Sequence, residues 1–197
     1  MGDPALVGGI GNPGETYSRH RHNVGFMALD SLAGRVSNIT WQNRFDGHLT
    51  RFRKGQINLL LLKPLTYMNR SGKSIAKAAM FYQIPGERLI LIHDDMDLPF
   101  GEIKIKMGGG AAGHNGVQSV ISEMGSDRFC RIRIGIGRPE SDTGPDYVLS
   151  DFTSEEEDKL DEILKQAADA ALLVYREGVP KAMNRYNRRG GKKNERN

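Results

Sequence analysis

Side chains capable of acid–base chemistry are concentrated in four stretches of the sequence that are rich in asparagine, histidine, aspartate or glycine. These stretches are residues 12–23, 68–69, 93–97 and the glycine-rich run 108–116. Together they offer an imidazole for proton transfer, a carboxylate to hold its tautomer, and several neutral carboxamides that donate and accept hydrogen bonds. These residue types predict proton-transfer chemistry combined with hydrogen-bonded recognition of a polar ligand.

The predicted strands and helices would bring these four stretches together. Strands are predicted at residues 5–11, 45–52, 57–62, 88–92, 102–106 and 130–136, and helices at 23–36, 71–82, 116–124, 154–177 and 180–188. Thr153 and Glu156 have the spacing of a capping box at the start of the longest helix, and Gly178 predicts its end. Strands interleaved with helices predict the α/β fold class. Because loops at the carboxyl ends of strands meet in a crevice, we expect the four loops to share one site.

The composition excludes several classes of protein. The chain has 197 residues, of which 38% are hydrophobic and 26% charged. Its aliphatic runs fall far short of the roughly 18 apolar residues that a membrane span needs. The N-terminal residues 1–4 lack a basic stretch followed by an apolar core, so we expect no secretory signal. The single cysteine, Cys130, cannot form an intramolecular disulfide, which favours a reducing cytoplasm.

Charge is distributed unevenly along the chain. The formal net charge is +4, but residues 181–197 alone hold seven basic side chains and one acidic side chain. A basic terminal segment of this kind either contacts nucleic acid or stays solvated, and its composition alone leaves both possibilities open.

Two glycine motifs that could bind nucleotides lack the surroundings that such binding needs. The Gly-x-Gly-x-x-Gly motif at residues 9–14 follows a strand, but helical apolar spacing begins only at Asn23, so no helix N-terminus would face a pyrophosphate. Residues 72–74 match the end of a phosphate-binding loop, but Tyr67 stands where its first glycine should be. We therefore expect no nucleotide cofactor.

Six linked motifs give the chain a more specific resemblance. They are Gly11-Asn12-Pro13-Gly14-x-x-Tyr17, Arg21-His22-Asn23-x-Gly25, Thr66-Tyr67-Met68-Asn69-x-Ser71-Gly72, His93-Asp94-Asp95-x-Asp97-Leu98-Pro99-x-Gly101, Gly108-Gly109-Gly110-x-x-Gly113-His114-Asn115-Gly116 and Arg131-x-Arg133-x-Gly135-x-Gly137. In order and spacing these motifs resemble the bacterial-type peptidyl-tRNA hydrolase family. The resemblance extends from about Leu6 to Asn187.

This resemblance implies a fold and an activity. The expected fold is a single-domain α/β protein of residues 1–189 with a mixed β-sheet flanked by helices (α/β/α), followed by a basic, disordered tail at 190–197. The expected activity is hydrolysis of the ester between the peptide and the terminal ribose of peptidyl-tRNA, which recycles tRNA. The resemblance also implies a cytoplasmic monomer that binds peptidyl-tRNA and needs no metal or other cofactor.

Three residues match the catalytic positions of the family. The resemblance makes His22 the general base that takes a proton from water, with no covalent intermediate. Asp94 would orient and electrostatically support the His22 imidazole. Asn12 would donate a hydrogen bond to the developing oxyanion or position the water.

Six further residues are expected to bind the substrate. Asn69 and Asn115 match the asparagines that contact the peptide in the family, and Tyr17 and Met68 would line the crevice. Tyr67 stands where relatives often carry another aromatic residue. We expect His114 to support the same region as a hydrogen-bonded loop anchor, since a histidine beside glycines is more often an anchor than a second base.

Four basic residues on two predicted strands are expected to bind tRNA phosphate. Lys104 and Lys106 lie two residues apart, so in a strand both amines face one side, and Arg131 and Arg133 alternate in the same way. Lys106 and Arg133 match the pair that clamps the 5′ phosphate of tRNA in the family. Without the resemblance, the same pattern would describe the solvated face of two half-buried strands.

One departure from the family keeps two alternatives open. His20 replaces the usual threonine two residues before His22, and two histidines near Asp94 and Asp95 suggest a metal-dependent hydrolase. We instead expect His20 to alter a pKa or to add an RNA contact. The other alternative is a non-catalytic RNA-binding relative of the same fold, similar to some organelle splicing factors, which would use the basic surface and not the crevice.

Overall fold

A mixed seven-stranded sheet forms the centre of the molecule in the computed structural model, which describes residues 2–138 and 144–187. The strands are β1 (Ala5–Gly9), β2 (Gln42–Arg44), β3 (Gly47–Lys54), β4 (Ile57–Pro64), β5 (Leu89–Asp95), β6 (Ile103–Met107) and β7 (Cys130–Gly135). Their order across the sheet is β2-β3-β4-β1-β5-β7-β6. The four inner strands β4, β1, β5 and β7 are parallel, whereas β2, β3 and β6 pair antiparallel at the two sides.

Helices cover both faces of this sheet, which gives the three-layer arrangement expected from the sequence. The helices are α1 (Val24–Ala33), α2 (Ser71–Phe81), α3 (Asn115–Met124), α4 (Gly144–Val148), α5 (Ser154–Glu177) and α6 (Val179–Tyr186). Alternate residues of β5 point to opposite layers: Ile90 and Ile92 pack with α1 and α5, and Leu89 and Leu91 pack with α2 and α3. β4 and β5 contain continuous aliphatic runs because both of their faces are buried, whereas β7 alternates arginine with isoleucine.

Close backbone contact brings the start of α1 against the ends of β1 and β5. A Cβ atom at Gly9 would overlap the carbonyl oxygen of Gly25, and one at Gly25 would lie 2.6 Å from the carbonyl oxygens of Ile10 and Ile92. Only glycine therefore permits this approach. As a result, the turn that precedes α1 and contains His22 lies directly at the carboxyl ends of two parallel strands.

The predicted elements agree with the structure except at several boundaries and in two short segments. The capping box of Thr153 and Glu156 is present, and α5 ends at Gly178 as predicted. β1 ends at Gly9 instead of residue 11, and α1 ends at Ala33 instead of residue 36. β2 and α4 are present in the structure but are not predicted from the sequence. The tail of residues 190–197 lies outside the described residues, so its predicted disorder remains a prediction.

Among residues 2–138 and 144–187, no helix has both the length and the apolar character needed to cross a membrane.

Candidate active site

A crevice of about 520 Å³ opens at the carboxyl ends of the parallel strands. All four chemistry-bearing loops contribute to it, as expected for an open α/β sheet. The polar residues that line it include Asn12, His22, Asn69, Asp94, His114 and Asn115. The predicted convergence of these loops on one site is therefore confirmed.

His22 and Asp94 form the central contact of the crevice. Arg21–Asn23 is a 3-10 turn before α1, and Asp94 lies near the end of β5. Nδ1 of His22 is 2.9 Å from each carboxylate oxygen of Asp94. Since an ionised carboxylate only accepts hydrogen bonds, Nδ1 carries the proton, and Nε2 of His22 keeps its lone pair. His22 can therefore accept a proton at Nε2.

A second imidazole contacts the same carboxylate. Nε2 of His114 is 2.9 Å from Oδ1 of Asp94. Nδ1 of His114 accepts from the backbone N–H groups of Gly116 and Val117, so it caps the N-terminus of α3. Because Nδ1 is an acceptor, the proton of a neutral His114 sits on Nε2 and is donated to Asp94. These contacts fit the expectation that His114 anchors its loop.

Asp94 is held in its ionised form by these two rings. The carboxylate is buried, with 2% of the side chain exposed. Burial alone would raise the pKa of Asp94, but His114 and His22 lower it overall to well below its usual range. Asp94 is thus a permanent acceptor for both imidazoles and can stabilise positive charge on His22.

Asn12 presents a fixed carboxamide to the crevice that His22 also lines. Its Oδ1 accepts a hydrogen bond of 2.9 Å from the backbone N–H of Met68. The backbone of Asn12 is clamped by Asn23, whose Oδ1 accepts from Asn12 N at 2.8 Å and whose Nδ2 donates to Asn12 O at 2.9 Å. With Oδ1 committed, the Nδ2 amide of Asn12 is the group left to donate into the crevice. Sequence reasoning missed the role of Asn23, although this residue stands in the quoted motif.

His93 is another residue whose role the sequence did not reveal. It is buried at the crevice floor, and its Nδ1 is 2.7 Å from the carbonyl oxygen of Asp94. Burial, followed by the proximity of His114, lowers the pKa of His93 to about 3. The ring is therefore neutral at physiological pH and packs edge-on against His114, with ring centroids 4.9 Å apart.

The predicted substrate residues divide into two groups. Tyr67, Met68, Asn69 and Asn115 line the crevice together with His114. Tyr17 is not among the described residues that line it. Its ring packs edge-on against His20, with centroids 5.3 Å apart, and its place in the crevice stays a prediction.

The four predicted phosphate-binding residues share one face of β6 and β7. Lys104 lies opposite Arg133, and Lys106 opposite Arg131, in the antiparallel pairing. Like charges in directly opposed positions destabilise a sheet. Nearby carboxylates offset part of this repulsion, since Arg133 binds Asp95 at 2.6 Å. The exposed Lys106 is available to an external anion.

Arg131 differs from the other three. Its side chain is 3% exposed, and its guanidinium donates to the backbone carbonyl oxygens of Gly109 and Gly110. It therefore holds the glycine-rich loop in place. The prediction that Arg131 binds phosphate is not supported, because alternation along a strand shows which face a residue occupies but not how deeply it is buried.

The hydrogen-bond pattern argues against a metal site in the crevice. His22, Asp94 and His114 bring three potential ligand atoms within 4.8 Å of one another. A metal on Nε2 of His114 would have to displace its proton while Nδ1 still accepts two backbone N–H groups. His20 does not belong to this group, since its Nε2 faces Asp151 at 3.9 Å. The described residues of the crevice thus fit a proton-transfer network better than a metal centre.

Comparisons with known proteins agree with this geometry. A family model described as Peptidyl-tRNA hydrolase matches residues 6–196. The peptidyl-tRNA hydrolase of Sorangium cellulosum is 46% identical over 187 residues, covering 93% of this chain and 84% of the relative. That of Mycobacterium ulcerans is also 46% identical over 187 residues, covering 94% of this chain and 98% of the relative.

A solved structure shows the same fold. The crystal structure of peptidyl-tRNA hydrolase from Acinetobacter baumannii superposes with a TM-score of 0.87 at 38% identity, covering 95% of this chain and 96% of that one. The expected mixed sheet flanked by helices is confirmed by this similarity and by the strand pairing. The chain therefore belongs to the peptidyl-tRNA hydrolase family.

Proposed function

We propose that this protein hydrolyses the ester between the peptide and the 3′-terminal ribose of peptidyl-tRNA, using a water activated by His22. The observation that carries the proposal is the contact of His22 Nδ1 with Asp94, which leaves Nε2 as the proton acceptor in a crevice lined also by Asn12. Membership of the family supports peptidyl-tRNA as the substrate.

The proposed reaction proceeds in two steps. Nε2 of His22 takes a proton from water while the water oxygen attacks the ester carbonyl carbon, and Asp94 stabilises the imidazolium that forms. The resulting tetrahedral oxyanion accepts a hydrogen bond from Nδ2 of Asn12. The bond from the carbonyl carbon to the ribose oxygen then breaks, and the imidazolium returns the proton to that oxygen. General-base assistance contributes about 10² to 10⁴-fold, and one oxyanion donor about 10² to 10³-fold.

The crevice composition favours direct attack by water over a covalent intermediate. The described residues that line it include no serine, threonine, cysteine or lysine. Cys130 is buried in β7, and its burial raises the pKa of the thiol to about 12, so it is not a nucleophile. Histidine acting on water is the mechanism that these residues support.

Asn69 and Asn115 account for selectivity against ordinary aminoacyl-tRNA. A carboxamide can both donate to and accept from a peptide amide. The free α-ammonium of aminoacyl-tRNA offers only donors, so some amide donors in the desolvated crevice would lose their partners. The proposal therefore predicts preference for substrates whose α-amino group is acylated.

Lys106 and Arg133 are the proposed contacts for the 5′ phosphate of the acceptor stem, with Lys104 adding positive charge beside them. Their shared face on β6 and β7 supports this assignment. The contact should weaken steeply with salt, as phosphate contacts do. The basic tail lies outside the described residues, so both possibilities for it, contact with nucleic acid and solvation, stay open. We also propose a cytoplasmic monomer, in line with the single buried cysteine.

The alternative of a non-catalytic RNA-binding relative is not favoured. Binding RNA through β6 and β7 does not need an imidazole, a buried carboxylate and an amide donor arranged in a separate crevice. The contact of His22 with Asp94, and the presence of Asn12 in the lining of the same crevice, support the catalytic reading instead.

Hydrolysis of N-acetyl-aminoacyl-tRNA and of unblocked aminoacyl-tRNA, each measured with a chelator present, tests the proposal. We expect the N-acetylated substrate to be hydrolysed at least about 10-fold faster, with no effect of the chelator. RNA binding without hydrolysis would favour the non-catalytic alternative. Loss of turnover on chelation would favour a metal-dependent hydrolase.

A further inference from the structure

Arg21 immediately precedes His22 and is itself buried. Its side chain is 4% exposed, although the guanidinium stays charged. Burying an unpaired charge is costly, so the structure must satisfy this group. Nη1 and Nη2 donate to the two carboxylate oxygens of Glu156 at 2.9 and 2.6 Å, and Nε donates to Ser150 Oγ at 3.3 Å. Three of the five guanidinium N–H groups are thus hydrogen-bonded, two of them to the carboxylate of Glu156.

Two aromatic rings enclose the same guanidinium. Its central carbon lies 4.4 Å from the ring centroid of Tyr147 and 5.0 Å from that of Phe152. The backbone also takes part, because Arg21 N donates to Ser150 O at 3.0 Å. Every one of these partners comes from residues 147–156, which are more than 120 positions away in the sequence.

Residues 144–153 overlap this partner segment, and their first part forms a wall of the crevice. Gly144, Pro145, Val148 and Leu149 line the same cavity as His22. The hydroxyl of Tyr147 donates to Ile136 O at 2.6 Å. The wall contacts the turn that carries the general base through the Arg21 side chain and its backbone N–H, beside a bridge between His20 and Asp151.

Glu156 connects this contact to the helix that follows. It is the capping-box residue of α5, and its Oε2 accepts from the backbone N–H of Thr153 at 2.8 Å as well as from Arg21. Burial would raise the pKa of Glu156, but the hydrogen bonds from Arg21 and Thr153 lower it overall, which keeps the carboxylate charged. The start of α5, the crevice wall and the His22 turn thus meet at one ion pair.

We propose that Arg21 is a positioning residue that fixes the crevice wall of residues 144–153 against the turn that carries His22. The wall bounds the space in which the acyl group must lie for the water at His22 to reach its carbonyl carbon. A displacement of about 1 Å can cost about 10²-fold in rate. This inference rests on the proposed catalytic role of His22.

The chain offers a matched control two residues earlier. Arg19 pairs with Glu157, the neighbour of Glu156, but this pair is on the surface, with side chains 65% and 37% exposed. Arg19→Lys and Arg21→Lys therefore make the same chemical change in an exposed and a buried ion pair. Glu156→Gln weakens the Arg21–Glu156 ion pair by removing the charge of its acidic partner, while glutamine still serves as a capping-box residue.

Steady-state kinetics on N-acetyl-aminoacyl-tRNA, with kcat expressed per folded molecule, tests the proposal. Arg21→Lys should lower kcat about 10-fold or more and keep KM within about threefold, because the phosphate-binding face is untouched. Glu156→Gln should lower kcat in the same direction, and Arg19→Lys should stay within about twofold. Circular dichroism and thermal melting give the folded fraction.

Three results would overturn the proposal: an unchanged kcat per folded molecule in Arg21→Lys, a change in KM alone, or an equal loss in Arg19→Lys. His22→Ala in the same assay separates this proposal from the proposed function. If His22→Ala is inactive and Arg21→Lys is normal, only the positioning role of Arg21 fails. If His22→Ala is as active as the wild type, the proposed function of the site fails.

Discussion

Nδ1 of His22 lies 2.9 Å from both carboxylate oxygens of Asp94, and Asp94 also accepts from His114 on its other side. One buried carboxylate thus fixes the tautomers of two imidazoles that have different tasks. His22 keeps a free nitrogen for the crevice, whereas both nitrogens of His114 are engaged in holding the loop and the carboxylate.

Asp94→Asn should lower kcat by about 10² to 10⁴-fold, the range that general-base assistance covers. Asparagine has one uncharged side-chain oxygen, so it cannot accept hydrogen bonds from both imidazoles as the two carboxylate oxygens do. Its NH2 group would donate to Nδ1 of His22 and so favour the tautomer that carries its proton on Nε2. Single-turnover hydrolysis measures this effect. Asp30→Asn, which removes an exposed partner of Lys63, is the control and should leave kcat unchanged. Wild-type kcat in Asp94→Asn would contradict the assigned role.

Asn12→Asp should lower kcat by at least about 10²-fold. The aspartate retains an oxygen for the backbone N–H of Met68, but it removes the amide donor and places negative charge beside the developing oxyanion. The same substitution at the exposed Asn43 on β2 controls for the change in net charge. If Asn12→Asp hydrolyses substrate at the rate of Asn43→Asp, Asn12 does not stabilise the oxyanion.

His93 should make the protein less stable as the pH falls from 7 to 5. Its pKa is about 3 in the folded protein and about 6.5 in the unfolded chain, so in this range the unfolded state binds more protons. The contribution of His93 to the free energy of unfolding therefore falls by about 2 kcal/mol between pH 7 and pH 5. Histidine ordinarily titrates in this range, and the chain has other histidines, so the effect must be measured against a variant that lacks only the His93 imidazole.

Urea unfolding of the wild type and of His93→Phe at both pH values measures this linkage. Phenylalanine keeps a flat ring but cannot titrate, so the variant should lose less stability than the wild type between pH 7 and 5. An equal loss in both proteins would show that His93 is not held neutral in the folded state.

Lys106→Ala and Arg133→Ala should each make tRNA binding less sensitive to salt. In a plot of log K against the logarithm of the salt concentration, the magnitude of the slope should fall by about one for each substitution. Lys165→Ala, on the exposed side of α5, should leave the slope unchanged. Arg131→Ala should instead lower the thermal stability of the protein, since it releases the carbonyl oxygens of Gly109 and Gly110. Unchanged slopes for Lys106→Ala and Arg133→Ala would refute the phosphate assignment.

The sequence predicted the long elements of the fold well because their signals are local. Aliphatic runs mark β4 and β5, and the capping box marks the start of α5. β2 has three exposed residues, and α4 has only five residues, so neither carries a periodic apolar pattern. β2 is held by its hairpin pairing with β3, and α4 by tertiary contacts such as the Arg21 guanidinium over the ring of Tyr147.

The same distinction holds for the site. Asn12, His22 and Asp94 belong to motifs whose order and spacing could be matched to a family, and the structure brings them together. The supporting residues escaped prediction because their roles depend on contacts. Asn23 clamps the Asn12 backbone, and Arg21 reaches a carboxylate 135 positions away. Depth of burial, which distinguishes Arg131 from Lys106, is likewise a property of the folded chain.

Single-turnover hydrolysis of N-acetyl-aminoacyl-tRNA by wild type and His22→Ala, at saturating enzyme, tests most directly whether one imidazole activates the water. His48→Ala, on β3, is the matched histidine control. We predict that His22→Ala lowers the rate of hydrolysis by about 10² to 10⁴-fold while tRNA binding stays within about threefold and His48→Ala behaves as the wild type. Equal rates for His22→Ala and the wild type would contradict the account.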